Sequence, residues 1–160
     1  MADRRLARKA RILRWALNLY PPYLGAGIRV RQISADFRRV RVKMGLGWYN
    51  RNYVRTQFGG SLYSMTDPFY MLMLMQLLGR DYIVWDKAAH IDFVSPGRGP
   101  VYAEFHIDDA LIERIRQHTA GGDKYLPDLH VDVHDGQGTL VARVRKTLYV
   151  RLKPQARQGA

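Results

Sequence analysis

One short stretch of the chain combines residue types that acyl-transfer chemistry uses. Gly59 and Gly60 open an apolar segment, and the carboxylate of Asp67 follows seven residues after the second glycine. Glycines at a helix N-terminus leave backbone N–H groups accessible, and the helix dipole there favours negative charge. The glycine pair is therefore a candidate oxyanion hole, and Asp67 is a candidate general base or nucleophile.

The same features also have structural interpretations. A glycine pair is common in a tight turn into a helix, and Asp67 directly before Pro68 is a typical helix-start cap. If Asp67 instead lies in an apolar cleft, desolvation is expected to raise the pKa of its carboxyl group. Asn50 is a candidate for orienting a water molecule or a substrate carbonyl.

Two lysines interrupt the apolar faces of predicted strands. Lys87 breaks a row of apolar odd positions in one strand, and Lys146 breaks the apolar face of the last strand. A buried ammonium group is costly unless it is paired. Either a bulge turns each lysine outward, or one of them pairs with Asp67 or Asp86 or holds a negative charge of a substrate.

The N-terminal residues 3–20 have the pattern of a basic amphipathic helix, which Pro21 and Pro22 end. Either this helix packs on the domain with a solvated basic face, or residues 4–14 contact an anionic membrane surface. A basic amphipathic N-terminus also resembles an organellar targeting peptide, but Asp3 and the lack of serine argue against that interpretation.

The remaining pattern is α+β, with one long apolar helix between groups of strands. We predict a strand over 27–44, in one piece or as two halves, with a bulge or bend near Arg38 and Arg39, followed by a loop over 45–57. A buried helix is predicted from 58 or 60 to 78, with a kink or a break at Pro68. Further strands are predicted over 82–94, 101–107, 128–135 and 139–152, with a short helix from Asp108 or Asp109 to about 118. An antiparallel sheet with one apolar face needs a cover, and the apolar helix is the obvious candidate.

With these residues in this order, the sequence resembles the DUF4442 group of hotdog proteins. The resemblance lies in Asn50, Phe58-Gly59-Gly60, Asp67-Pro68, Ile83-Val-Trp-Asp-Lys87 and Lys146-Thr-Leu-Tyr149. The related acyl-CoA thioesterases of the phenylacetic acid pathway carry Asn, then His-Gly-Gly, then Asp seven residues on; Phe58 stands where they have His. The resemblance implies a curved antiparallel sheet wrapped around a central helix, hydrolysis of acyl-CoA or related thioesters, and a cleft closed by a second protomer in a dimer or tetramer.

On this basis the chain divides into an N-terminal amphipathic helix (1–22), a hotdog domain (23–153) and a flexible tail (154–160). Coenzyme A enters as part of the substrate, and no other cofactor is expected. The candidates for substrate contact are Phe58, Ser61, Ser64, Lys87, Lys146, Arg98, Arg143 and Arg145, of which the three arginines are placed against the phosphates of coenzyme A.

The amino-acid composition limits the kinds of functional site that the chain can form. The 160 residues carry a net charge of +12 and no cysteine, so thiolate metal sites and a cysteine nucleophile are excluded, and a reducing, cytoplasmic location is expected. His130, Asp132 and His134 share the solvent face of a strand, so we predict no metal site there. Nucleic-acid binding rests on charge alone and is not expected. The alternative to hydrolysis is non-catalytic binding of acyl-CoA or a fatty acyl ligand.

Overall fold

The structure, a computed structural model, describes residues 2–157, with side chains from residue 4 to residue 156. Its helices are α1 (Ala2–Leu19), α2 (Pro21–Ala26), α3 (Gly59–Ser64), α4 (Phe69–Leu78), α5 (Asp109–Thr119) and α6 (Pro154–Arg157). Its strands are β1 (Ile28–Ile33), β2 (Arg39–Met44), β3 (Tyr82–Phe93), β4 (Val101–His106), β5 (Lys124–Tyr125), β6 (Asp128–Asp135) and β7 (Leu140–Leu152).

The strands form one antiparallel sheet in the order β1-β2-β4-β6-β7-β3, with the short β5 paired to β7. β4 shows how one face becomes apolar, because its odd positions are buried and its even positions are exposed. The apolar helix α4 covers that face: the ring centroids of Phe69 and Phe105 lie 4.9 Å apart, and the Tyr70 hydroxyl donates to the carbonyl of His130 at 2.6 Å. The predicted arrangement of a sheet wrapped around a central helix is confirmed.

The central helix is broken in two at the predicted place. α3 ends at Ser64 and α4 begins at Phe69, because Pro68 has no N–H and disfavours helical geometry at Asp67. The Asp67 amide donates to the carbonyl of Ser64 at 3.4 Å, which closes a short turn between the two helices. The Asp67 side chain therefore projects from the joint between α3 and α4.

The strand prediction over 27–44 holds in its two-part form, and the prediction for β3 needs correction. Residues 27–44 form a hairpin of β1 and β2, whose turn includes Phe37 at φ 57°. In β3, the register shifts between Asp86 and Ala88, so the inward-facing parity changes there. Before the bulge Val84 packs on the core and Trp85 is exposed, the reverse of the prediction that odd positions face inward throughout.

Three short elements were not anticipated: α2, β5 and α6. Pro21 and Pro22 begin α2 rather than simply ending α1, since proline suits the first turn of a helix. The start of the predicted flexible tail forms α6, and residues 158–160 lie outside the described part of the chain. No helix in residues 2–157 has the length and apolar character to cross a bilayer.

The turn from α2 into β1 depends on Gly27, which yields a test of this packing. Gly27 has φ 73°, and a Cβ there would lie 2.5 Å from Nδ2 of Asn50. We expect Gly27→Ala to lower the free energy of unfolding by about 2 kcal/mol, because the left-handed backbone and the clash both add cost. Urea denaturation measures the change.

Gly25→Ala is the matched control, because a Cβ at Gly25 meets nothing within 4 Å inside α2. Alanine is the better helix former, so this variant should be unchanged or up to about 1 kcal/mol more stable. Equal losses in both variants would contradict the packing assigned to Gly27.

Candidate active site

A fully buried lysine lies at the centre of the candidate site. Lys146 is on β7 with its side chain 0% exposed, and its Nζ lies 2.7 Å from Oδ1 of Asp67 and 3.2 Å from Oδ1 of Asp86. The Tyr63 hydroxyl is 3.3 Å from the same Nζ. The cluster thus joins α3, the α3–α4 joint, β3 and β7. Of the two alternatives that the sequence left open for the lysines, Lys146 follows the one in which it points inward and pairs with these carboxylates.

Asp67 is held through one of its two carboxylate oxygens. Its Oδ1 accepts from both the Tyr63 hydroxyl and Lys146 Nζ, each at 2.7 Å. Among the described residues, Oδ2 accepts no hydrogen bond from the protein, and the side chain is 47% exposed. One oxygen therefore fixes the orientation of the carboxylate, while the other can face a substrate or a water molecule.

The two carboxylates respond to this environment in opposite directions. Burial acts to raise the pKa of Asp67, but the hydrogen bonds from Lys146 and Tyr63 and the lysine charge outweigh it, so its pKa is lowered from 3.8. The predicted rise in the Asp67 pKa is therefore wrong. For Asp86, burial prevails over the attraction of Lys146, and its pKa is raised.

The opposite pKa shifts of Asp67 and Asp86 follow from the geometry of the two carboxyl groups. Asp86 is only 23% exposed, and its buried Oδ1 has an ionic contact with Lys146 without hydrogen-bond geometry. Burial alone would lower the pKa of Lys146, but the Asp67 hydrogen bond and both carboxylate charges raise it. Lys146 is thus an ammonium in contact with two carboxyl groups, and Asp67 is the one of the two whose pKa is lowered.

Lys87 points away from this cluster. The β3 bulge that brings Asp86 inward turns Lys87 outward, where it is exposed. The prediction of a bulge therefore holds for Lys87 and not for Lys146. Lys87 does border an open pocket of about 440 Å³, which Tyr63 and Asp86 also line. The pocket therefore borders two members of the buried cluster, Tyr63 and Asp86.

The glycine pair begins α3, so it lies at a helix N-terminus as predicted. Phe58 caps the helix without a side-chain hydrogen bond, and within residues 2–157 the amides of Gly59 and Gly60 have no backbone acceptor. Aromatic rings lie over both: a Cβ on Gly60 would be 2.5 Å from the Phe58 ring, and one on Gly59 would be 3.0 Å from the Phe93 ring. The two free amides thus lie between exposed apolar rings.

The side chain of Asn50 is fixed by hydrogen bonds to three backbone groups. Its Nδ2 donates to the carbonyls of Ala26 and Gly45, both at 2.8 Å, and its Oδ1 accepts from the Gly47 amide at 2.7 Å. The side chain is buried and ties the loop after β2 to the end of α2. It therefore offers no free N–H to a water molecule or a substrate carbonyl.

The other predicted contacts fall into two groups. Ser61 lies in α3, and the Ser64 hydroxyl donates to the Gly60 carbonyl at 2.8 Å, so both serines stay near the glycine pair. The arginines Arg98, Arg143 and Arg145 are exposed. Arg143 and Arg145 project from the face of β7 opposite Lys146, so the sheet separates them from Asp67.

The outer face of β6 also carries the histidines considered above. Asp132 accepts two hydrogen bonds from Arg143, each at 2.8 Å, and this pairing lowers the pKa of its carboxyl. His130 and His134 flank it on the same strand. No group of three or more potential metal ligands occurs within the described residues.

Tyr63 is the site residue that sequence reasoning missed. It precedes Asp67 by four residues, and this spacing places two side chains on the same side of a helix. That spacing was the available signal. It was obscured by the Pro68 break, which left the geometry of the segment before Asp67 open.

The fold places the chain in a known class. A curved antiparallel sheet around a central helix is the hotdog fold, and solved hotdog proteins match the chain over most of its length. A protein of unknown function from Pseudomonas aeruginosa, named a probable thioesterase, has a TM-score of 0.77 at 18% identity, covering 89% of this chain and 95% of its own.

Two further relatives extend the comparison. The Escherichia coli PaaI protein of the phenylacetic acid degradation operon gives a TM-score of 0.60 at 15% identity, covering 92% and 94% of the two chains. Mouse thioesterase superfamily member 2 gives 0.62 at 16% identity, covering 88% and 96%. No curated protein matches the chain in sequence. The family model for the domain of unknown function DUF4442 matches residues 8–150, and the chain belongs to this family.

The buried cluster predicts different outcomes for two equivalent lysine substitutions. We expect Lys146→Met to lower the free energy of unfolding by about 2 kcal/mol, because it leaves Asp67 and Asp86 facing each other without a counter-ion. The loss is smaller than for a fully buried pair because Asp67 is 47% exposed. Thermal and urea unfolding provide the measurement.

Lys87→Met makes the same chemical change in the neighbouring strand and is the control. Because Lys87 is exposed, the free energy of unfolding of this variant should stay within about 0.5 kcal/mol of the wild-type value. A Lys146→Met protein as stable as Lys87→Met would show that the buried ion cluster is not formed.

Proposed function

We propose that this protein hydrolyses thioesters, with an acyl-CoA or a related acyl thioester as substrate. One observation carries the proposal: the Asp67 carboxylate is held through Oδ1 by Tyr63 and Lys146 and left open at Oδ2. Hydrolysis of a thioester needs an ionised carboxylate or an aligned water at the carbonyl carbon, and this geometry supplies the first. The names of some structural relatives support the same reaction class, among them mouse thioesterase superfamily member 2 and the probable thioesterase of Pseudomonas aeruginosa.

In the proposed reaction, Oδ2 of Asp67 either attacks the thioester carbon or aligns a water that does so. The lowered pKa favours a group that is ionised at neutral pH. Attack would form an acyl-aspartyl anhydride and release the thiolate of coenzyme A, and water would then cleave the anhydride.

The negative charge that develops on the carbonyl oxygen needs hydrogen-bond donors. The amides of Gly59 and Gly60 at the start of α3 are the donors we assign to it. The exposed rings of Phe58 and Phe93 around them suit an apolar acyl chain. Phe58 supplies contact area where the related thioesterases have a histidine.

We further propose that a second copy of the chain closes this site. β3 is the outer strand of the sheet, and its exposed face and end carry Trp85, Phe93 and Val94. Asp86 and Lys87 lie on the same strand, beside the open pocket. Pairing of two β3 edges would cover the apolar rings and convert the pocket into an enclosed cleft.

A second candidate function is non-catalytic binding of an acyl-CoA or a fatty acyl ligand. A specific observation favours it: the ammonium of Lys146 already compensates the charge of Asp67, and the Phe58 ring lies over Gly60. In this alternative the same pocket holds the acyl group, and the carboxylate has only a structural role.

Hydrolysis of a panel of acyl-CoAs of different chain length distinguishes the two. We expect the wild type to release free thiol, and Asp67→Asn to lose about 100-fold or more in kcat/KM, because the amide can neither attack nor accept a proton. Asp132→Asn is the control, since it removes a partly exposed carboxylate on the opposite face of the sheet.

Equal hydrolysis by the wild type and Asp67→Asn would overturn the catalytic assignment. Tight binding of acyl-CoA without thiol release by either protein would support the binding function instead. Where turnover occurs, a single turnover in ¹⁸O-labelled water tests the direct route. Hydrolysis of the anhydride at the aspartyl carbonyl carbon leaves the label in the Asp67 carboxylate, whereas a water aligned by Asp67 leaves the label only in the released acid.

A further inference from the structure

The outward face of α1 carries large apolar side chains that nothing in the described chain covers. Ile12, Trp15 and Leu19 are 55%, 59% and 67% exposed. Their spacing of three and four residues places them on one side of the helix. Tyr20 continues the same surface at the turn into α2 and is also exposed. We call these four residues the α1 apolar patch.

Basic residues occupy the N-terminal half of the same helix. Arg4, Arg5, Arg8 and Arg11 are all exposed. Residues 4–35 contain eight Lys and Arg and no Asp or Glu, so no acidic side chain within this segment offsets the charge. The outer side of α1 therefore has a positive half followed by an apolar half that contains tryptophan.

The opposite side of α1 is fixed to the sheet, which determines what the outer side presents. Asn18 donates to the carbonyl of Val30 at 3.0 Å and accepts from its amide at 2.7 Å. Arg14 donates to the Arg31 carbonyl, and Ala10 is buried against the domain. α1 thus covers the open edge of β1 and cannot turn its apolar patch inward without breaking these bonds.

We propose that this face of α1 docks the protein on the surface of a membrane rich in anionic phospholipid. Arginines attract lipid phosphate and carboxylate groups, while tryptophan and tyrosine partition into the interfacial layer and leucine and isoleucine enter the acyl boundary. Because residues 4–35 contain no acidic residue, the positive charge of this segment complements the negative charge of such a surface. The helix lies flat on the membrane, because its other side is occupied by β1.

The proposal is independent of thioester hydrolysis and is tested without it. The full chain is mixed with vesicles of phosphatidylcholine alone or of phosphatidylcholine with phosphatidylglycerol, and the bound fraction is measured by flotation. We expect the wild type to float with the anionic vesicles and not with the neutral ones. High salt weakens this binding, because it screens the arginine contribution.

Two variants test the two halves of the face. Trp15→Ser with Leu19→Ser removes apolar contact, and Arg4→Gln with Arg8→Gln and Arg11→Gln removes charge while keeping good helix formers. Each should lower the vesicle partition coefficient by about tenfold or more. Circular dichroism confirms that they fold, as expected for substitutions on the exposed side of α1.

Matched controls change the same residue classes elsewhere on the surface. Tyr53→Ser with Val54→Ser removes exposed apolar groups from the loop after β2, and Arg114→Gln with Arg116→Gln and Arg145→Gln removes the same charge. The controls should bind like the wild type.

Absence of wild-type binding, or equal loss in patch and control variants, would overturn the proposal. The proposal would also be overturned if the wild type did not bind vesicles and a patch variant had a different oligomeric state from the wild type. The face would then be a contact between copies of the chain.

Discussion

The ammonium of Lys146 is the charge around which the rest of the site is arranged. A lysine with 0% exposure in the middle of a strand is tolerated only with carboxylates at contact distance. The chain supplies two from separate elements, Asp67 from the α3–α4 joint and Asp86 from β3. Each is brought inward by an irregularity of its element: the helix break at Pro68 and the bulge after Asp86.

These irregularities connect stability with the proposed chemistry. Because the pKa of Asp67 is lowered by folding, its contribution to stability is present above the unfolded value and is lost as pH falls through the folded value. Because the pKa of Lys146 is raised, its contribution is present below the unfolded value and is lost as pH rises through the folded one. The pair therefore supports the fold throughout the neutral range, while Asp86, whose pKa is raised, is the partner that takes up a proton first as pH falls.

The sequence allowed much of this to be predicted, for reasons that differ between residues. Strand periodicity located β4, β6 and β7, and the Asp67-Pro68 pair located the break in the central helix. Two lysines on apolar strand faces indicated a buried charge, but the sequence did not show which lysine is buried. A bulge reverses the side of the sheet on which a residue lies, and the residue types alone do not reveal it. The pKa of Asp67 was predicted in the wrong direction, since it depends on Tyr63 and Lys146, which lie within hydrogen-bond distance only in the folded chain. Asn50 matches the Asn of the related thioesterases in the sequence, but its three hydrogen bonds to the backbone are apparent only in the folded chain.

The central claim is that Lys146 keeps Asp67 ionised and oriented for chemistry. The most direct measurement is a titration of the Asp67 carboxyl carbon by NMR in the wild type and in Lys146→Met, with Asp67→Asn used to assign the resonance. The account predicts a wild-type pKa below the ordinary value of 3.8 and a clear rise in Lys146→Met, where burial acts without the ammonium. A wild-type pKa above 3.8, or the same pKa in both proteins, would contradict it.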